Sequence, residues 1–260
     1  MTTPIQSVPA LLTAVSALAR EAGAIVMAVY ATDFSVRGKA DTSPVTEADE
    51  RAEAVILAGL AALTPDFPVV AEESAAAGRI PAIVDRFWLV DPLDGTKEFI
   101  SRNGEFTVNI ALIEHGLPVL GVVLAPAIGP QGQLYAGAIG YGATVEDEAG
   151  VRPITCRTVP EAGLTVLASR SHGDAAALEA FLAGRRVAST STAGSSLKFC
   201  LLAAGQADLY PRLGRTMEWD IAAGHAVLAA AGGQVCRADD GRPMTYGKPD
   251  FENPHFVAAG

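Results

Sequence analysis

Positive charge is what this chain most conspicuously lacks. Its 19 Lys and Arg face 29 Asp and Glu, giving a formal net charge of −10 over 260 residues. No basic footprint for a phosphate backbone is present, which excludes a nucleic-acid-binding module. Cysteine is nearly absent as well. Cys156, Cys200 and Cys236 are odd in number and show no C-x-x-C spacing, so neither a disulfide framework nor a cysteine metal site is expected. Aromatics make up only 6%, so the core must be built from small aliphatic side chains. No uncharged apolar run reaches the ~18 residues of a membrane span. A leader peptide is not expected either. Ala17-Leu18-Ala19 looks like a cleavage site, but no Lys or Arg precedes it, and Ser7 and Pro9 interrupt the approach. These absences together point to a cytoplasmic protein without an integral membrane segment.

What is present is a chain that is 50% hydrophobic, long enough to bury a large core without staples. Leu11, Leu12, Val15, Leu18, Ala22, Ile25 and Val29 recur at helical spacing. A polar loop over Thr32–Pro44 follows, then a helix with Thr46 as N-cap and Ala52, Val55, Ile56, Leu60 and Leu63 on one face. Strands are expected at Pro68–Ala71, Phe87–Val90, Phe106–Ile113, Leu117–Leu124, Gln133–Ala136 and Gly142–Val145, with a hairpin at His115-Gly116. After residue 150 strands and helices alternate. Leu164–Ala168 and Ala207–Tyr210 read as strands; Asp174–Ala183, Ser195–Ala204 and Ile221–Ala231 read as helices, the last stopped by Gly232-Gly233. The expected fold class is therefore α/β, with an α+β half over 1–150 and an α/β half over 151–260.

Four acidic segments stand out. In Asp91-Pro92-Leu93-Asp94-Gly95-Thr96 a buried strand runs into a turn in which Pro92 fixes φ and Gly95 permits a reversal. Both carboxylates and the Leu93 carbonyl can then face one point, an oxygen-only set that suits Mg²⁺; an ordinary acidic turn is the alternative. Glu72-Glu73 ends the neighbouring strand, where adjacent acids face opposite sides, so one of them can join the cluster. Asp220, after Trp219, fits a helix N-cap as well as a ligand. Asp49 fits the first turn of a helix, or a general base acting on water with Thr96.

In this order the four segments resemble the inositol monophosphatase superfamily of magnesium-dependent, lithium-sensitive phosphatases. Trp88 to Thr96 matches the signature W-x-x-D-P-I/L-D-G-T throughout, and Trp219 to Gly224 matches W-D-x-A-A-G. The resemblance runs from Lys39 to Gly233 and implies a layered αβαβα sandwich of the sugar-phosphatase type, with its site in the cleft between the halves. It implies two or three Mg²⁺ held by Glu72, Asp91, Asp94, Asp220 and the Leu93 carbonyl. It also implies catalytic roles for Asp49 and Thr96, which activate water, and for Glu72. Thr96-Lys97-Glu98-Phe99, Ser195-Ser196-Leu197-Lys198-Phe199 and Asp208-Leu209-Tyr210-Pro211-Arg212 are similar to the 3′(2′),5′-bisphosphate nucleotidase branch, bacterial CysQ-type members included. That branch implies a small phosphorylated nucleotide, 3′-phosphoadenosine 5′-phosphate, as substrate. It would lie against Glu72, Leu93, Asp94, Gly95, Thr96, Asp220, His172, Ser195, Lys198 and Arg212, with Lys39 near the metal-bound phosphate. The resemblance implies a monomer or homodimer, and its bacterial members sometimes sit peripherally at the inner membrane. An inositol or sugar phosphatase and a non-catalytic nucleotide-binding regulator are the competing readings.

Overall fold

The computed structural model describes residues 7–32, 36–38, 44–169 and 175–260, with backbone alone at 36–38 and 44–46. Lys39 and His172 lie outside the described residues, as do the side chain of Thr46 and the expected helix start at Asp174. Two long helices open the chain, α1 (Val8–Tyr30) and α2 (Glu47–Leu63). Between them β1 (Val36–Gly38) and β2 (Pro44–Thr46) pair antiparallel, where the sequence suggested only a polar loop. At three residues each, these segments are too short to show a hydrophobic period that would betray a strand.

A seven-stranded sheet follows, in the order β3 (Val69–Ala71), β4 (Arg86–Asp94), β5 (Thr107–Glu114), β6 (Leu117–Ala125), β7 (Gln133–Ala138), β8 (Gly142–Asp147) and β9 (Gly150–Ile154). Only the β3–β4 pair is parallel. His115 and Gly116 take φ of +50° and +75°, the mirror-turn conformation that suits the β5–β6 hairpin. The sequence pattern does not predict strand β9: it is exposed from Gly150 to Pro153, and that proline is one an edge strand tolerates.

The central strands are buried on both faces, and their alternation assigns each face. Trp88, Val90, Val108, Ile110, Leu112 and Val122 pack with α1 and α2, whereas Phe87, Leu89, Ala111, Ile113 and Val123 pack with the helices of the other side. Those inner helices are α6 (Leu197–Ala203) and α7 (Glu218–Ala230). Gly121 of β6 lets α7 approach closely, since a Cβ there would lie 2.3 Å from the Ala223 carbonyl oxygen. Beyond these helices lies a second sheet in the order β11 (Val187–Ala193), β10 (Leu164–Ser169), β12 (Leu209–Arg212), β14 (Phe256–Ala259), β13 (Gln234–Arg237). Helix α5 (Ala175–Leu182) joins the parallel strands β10 and β11. The architecture is thus the expected layered α/β class. Two short helices, α3 (Glu72–Ala76) and α4 (Thr96–Ile100), complete the elements.

By length and composition α1 alone among the described helices could cross a membrane. Its apolar face, Leu11, Val15, Leu18, Ala22, Val26 and Val29, is buried in the core. Arg20 and Glu21 interrupt its middle, and Arg20 pairs with Glu146 of β8 at 2.8 Å.

Candidate functional site

Asp91 and Asp94 are three residues apart, and in a regular strand they would face opposite sides of the sheet. They do not, because β4 carries one extra residue. Asp91 pairs with Asn109 and Asp94 with Thr107, so three steps on β4 match two on β5. This bulge, at Pro92-Leu93, turns both carboxylates toward α6 and α7. The structure therefore replaces the expected tight turn with a bulge inside the strand. The sharp change comes one residue later, at Gly95, whose φ of +92° opens α4.

Glu72 also differs from expectation. It does not end a strand but begins α3, with Glu73 beside it in the same first turn. Asp220 is neither before α7 nor its N-cap. It is the third helical residue, and its Oδ2 accepts the backbone N–H of Met217 at 2.8 Å, the reach-back half of a capping box. Asp49 is fully buried in the first turn of α2. Thr96 opens α4, and its Oγ1 lies 3.5 Å from the Leu93 carbonyl oxygen.

Together these elements bound a cavity of about 730 Å³, lined by Glu72, Asp91, Leu93, Asp94, Gly95 and Thr96 on one side and by Ser195, Lys198, Arg212 and Asp220 on the other. Asp49 does not line it, but its charge is felt at Asp91. Burial pushes the Asp91 carboxyl well above the usual carboxylate range, and Glu72, Asp94, Asp220 and Asp49 push it further. Asp94 rises to about 6, chiefly through burial, against the opposing pull of Lys198 and the Ser196 N–H. Asp220 is raised by burial and then by Asp94 and Glu72.

Such a cluster resists ionisation unless a cation joins it. The donor set is all oxygen, as Mg²⁺ requires. Each aspartate has one oxygen oriented by a peptide N–H: Leu93 to Asp91 at 3.0 Å, Ser196 to Asp94 at 2.6 Å and Met217 to Asp220 at 2.8 Å. Among the described residues no three His, Cys, Asp or Glu side chains already share one ligating point. The carboxylates are neighbours on fixed backbones rather than a closed cage, which suits an ion that keeps several waters. The residues fit the group.

The cationic wall is less simple than the sequence suggested. Lys198 is buried, and its Nζ donates to the carbonyl oxygens of Ala193 at 3.0 Å and Ser195 at 2.6 Å. Burial lowers its ammonium to about 8, with Arg212 acting in the same sense and Asp94, Glu98 and Glu105 opposing. Ser195 takes φ +44°, unusual for a residue with a side chain, so it does not serve as the helix cap; Ser196 takes that position. The Ser195 Oγ is buried without a hydrogen-bond partner. Arg212 closes β12 with Nη2 on the Arg215 carbonyl oxygen at 3.0 Å, and Arg215 lies on the cavity wall beside it.

Several site residues escaped sequence reasoning. Ser196 Oγ donates to Asn109 Oδ1 at 2.6 Å and lies 2.8 Å from Thr107 Oγ1, all three fully buried. Glu105 Oε2 accepts the Gly194 N–H at 2.7 Å. Glu218 accepts the N–H groups of Gly247 and Lys248 at 2.8 and 2.9 Å, which anchors the segment that brings Phe251 to the cavity. Thr107 and Asn109 did leave a signal, as two polar residues on the inward face of an otherwise apolar strand.

The profile of the inositol monophosphatase family matches residues 9–259. The 3′(2′),5′-bisphosphate nucleotidase CysQ of Escherichia coli O157:H7 is 51% identical over 242 residues, covering 92% of this chain and 95% of that protein. The crystal structure of CysQ from Bacteroides thetaiotaomicron, a bacterial member of the inositol monophosphatase family, superposes with a TM-score of 0.77 at 37% identity, covering 95% of this chain and 97% of that one. An IMPase of Thermotoga maritima superposes with a TM-score of 0.76 at 26% identity, covering 94% and 90%.

Proposed function

The chain belongs to the inositol monophosphatase family, and on that premise we propose that it is a Mg²⁺-dependent 3′(2′),5′-bisphosphate nucleotidase. Its reaction is hydrolysis of 3′-phosphoadenosine 5′-phosphate to AMP and inorganic phosphate. The observation that carries this reading is that one cavity is lined both by the acidic cluster and by the buried Arg212, while its neighbour Arg215 is paired with Glu252 at 3.0 Å. About 730 Å³ is room for a nucleotide.

In this reading Glu72, Asp91, Asp94, Asp220 and the Leu93 carbonyl hold the metal. Bound Mg²⁺ supplies charge stabilisation to the phosphoryl and leaving oxygens and acidifies water. Thr96 orients the attacking water, and Asp49, buried behind the cavity wall, serves as the base that acts through Thr96. The Gly95–Thr96 backbone and Ser195 border the scissile phosphate, and Arg212 holds the remote phosphate by charge-assisted hydrogen bonds. His172 and Lys39 join the substrate set by resemblance alone. The halves 1–150 and 151–260 share the site, and the enzyme works in the cytoplasm as a monomer or homodimer. The test is phosphate release from the bisphosphate nucleotide beside inositol 1-phosphate, with and without Mg²⁺. Preference for the nucleotide and loss of both activities on chelation are expected. Preference for inositol 1-phosphate would make the protein an inositol phosphatase, and tight nucleotide binding without turnover at saturating Mg²⁺ would make it a regulator.

A further inference from the structure

Asp49 and Glu53 lie one turn apart on α2, and both are buried. The proposed reaction accounts only for Asp49. Glu53 ends on the first turn of α3, where its Oε2 accepts the Glu73 N–H at 2.8 Å and its Oε1 accepts the Ser74 hydroxyl at 2.6 Å. The residue that opens this turn is Glu72.

Helix α3 has only five residues and follows a three-residue strand. A helix this short does not hold its shape through its own hydrogen bonds. Its N-cap is Ala71, which has no side-chain acceptor to offer the first N–H groups. Glu53 supplies that acceptor from another element and brings negative charge to the positive end of the helix. Ser74 is gripped a second time by Arg79, whose Nη2 lies 3.4 Å from its Oγ and whose N–H donates to its carbonyl oxygen at 2.8 Å. A buried carboxylate is unfavourable unless fully hydrogen-bonded, and here it also lies one turn from a second acid. Packing alone gives no reason for such a residue; holding α3 does.

We propose that Glu53 is a positioning residue: by capping α3 from α2 it fixes the direction in which Glu72 meets the acidic cluster, and so sets the affinity of the metal position to which Glu72 contributes. This rests on the reading of Glu72 as a metal ligand. One helix then delivers two carboxylates to one reaction, Asp49 toward the water and Glu53 toward the frame of a ligand.

The test is a double-mutant cycle on the full chain. Binding of Mg²⁺ is read directly by titration calorimetry, with Mn²⁺ electron paramagnetic resonance as a second probe, and folding by thermal melting. Glu53→Ala is expected to weaken Mg²⁺ binding by about tenfold, the usual scale for a group that orients a ligand. Glu53→Gln, which keeps one acceptor, should weaken it less, and kcat should recover in excess Mg²⁺ for both. On a Glu72→Gln background, neither Glu53 substitution should weaken binding further. An equal loss on both backgrounds, or a lower melting temperature with unchanged metal affinity, would overturn the proposal; if Glu53→Ala does not fold, Glu53→Gln carries the same comparison. Unchanged Mg²⁺ affinity in Glu72→Gln itself would instead remove the ligand reading beneath it.

Discussion

Ser196 donates its backbone N–H to Asp94 Oδ2 at 2.6 Å, across 102 residues of sequence. Through this bond the segment entering α6 sets the orientation of a carboxylate on β4, while the Ser196 side chain is anchored to Thr107 and Asn109 on β5. The acidic side of the site and the wall that faces it are thus built as one unit.

Burial and mutual repulsion raise the carboxyls of Asp91, Asp94 and Asp220, so their crowding costs stability in the absence of a cation. Asp91→Asn keeps an acceptor for the Leu93 N–H and removes one of several like charges. Turnover should fall by roughly a hundredfold or more. The metal-free protein should nonetheless melt higher, by about 2–4 °C for each kcal/mol of repulsion relieved. Phosphate release at several Mg²⁺ concentrations and melting in chelator check the two halves. Near-normal turnover at limiting Mg²⁺ would remove Asp91 from the metal site.

Arg212 and Lys198 should behave differently from one another. Arg212→Ala should cost the bisphosphate nucleotide about ten- to a hundredfold in kcat/KM, the scale of a lost charge-assisted contact, and spare a small monoester. Lys198→Met should damage both substrates alike, because its ammonium holds the Ala193 and Ser195 carbonyl oxygens. Parallel kcat/KM measurements on the nucleotide and on inositol 1-phosphate decide. Equal losses for Arg212→Ala would end its assignment to the remote phosphate.

Stability should carry a histidine signature. Burial lowers the His225 imidazole from 6.5 to about 4, and its Nδ1 lies 2.8 Å from the Tyr246 hydroxyl. Above pH 6.5 the imidazole is neutral folded and unfolded and has no effect on the balance. As pH falls from 6.5 toward 4, the unfolded chain takes up a proton that the folded one refuses. The loss is about 3 kcal/mol at its limit. The raised carboxyls of Asp91, Asp94 and Asp220 act in the opposite sense, so the readout is the difference between wild type and His225→Asn in denaturant unfolding across that window. Parallel pH profiles for the two proteins would contradict the assignment.

The approach of α7 to the first sheet leaves no room at Gly121, where an added Cβ would meet the Ala223 carbonyl oxygen at 2.3 Å and the Ala226 Cβ at 2.7 Å. Gly121→Ala should destabilise by about 1–3 kcal/mol through overpacking. Because α7 carries Asp220, it should also weaken Mg²⁺ binding. Chemical denaturation and metal titration of the same variant check both effects.

Much of this was readable in the chain because local chemistry agrees with the fold. Pro92 and Gly95 marked the break after Asp91, His115-Gly116 gave the hairpin, and Gly232 stops α7 with φ +98°. What stayed hidden had no local signature. Strand β11, Val-Ala-Ser-Thr-Ser-Thr-Ala, is an exposed edge whose polar residues show no apolar alternation. The expected strand at Ala207–Tyr210 begins later and includes Pro211, tolerated because β10 pairs with β12 only at Val166 and Leu209. The bulge that aligns Asp91 with Asp94 is a register relation with β5, and the capping of α3 by Glu53 spans about twenty residues of sequence, as Glu73 and Ser74 contact it from 20 and 21 positions away. Motif residues identify the cluster; only tertiary pairing shows how it is held.

The proposed activity is direct hydrolysis of one phosphate of a bisphosphorylated nucleotide. It is tested most directly by turning over 3′-phosphoadenosine 5′-phosphate in ¹⁸O-labelled water with Mg²⁺ and identifying both products by mass spectrometry. AMP with its 5′-phosphate unlabelled and one ¹⁸O in each inorganic phosphate released are expected. Adenosine 3′-phosphate as product, label in the nucleotide, or no release at all would contradict it.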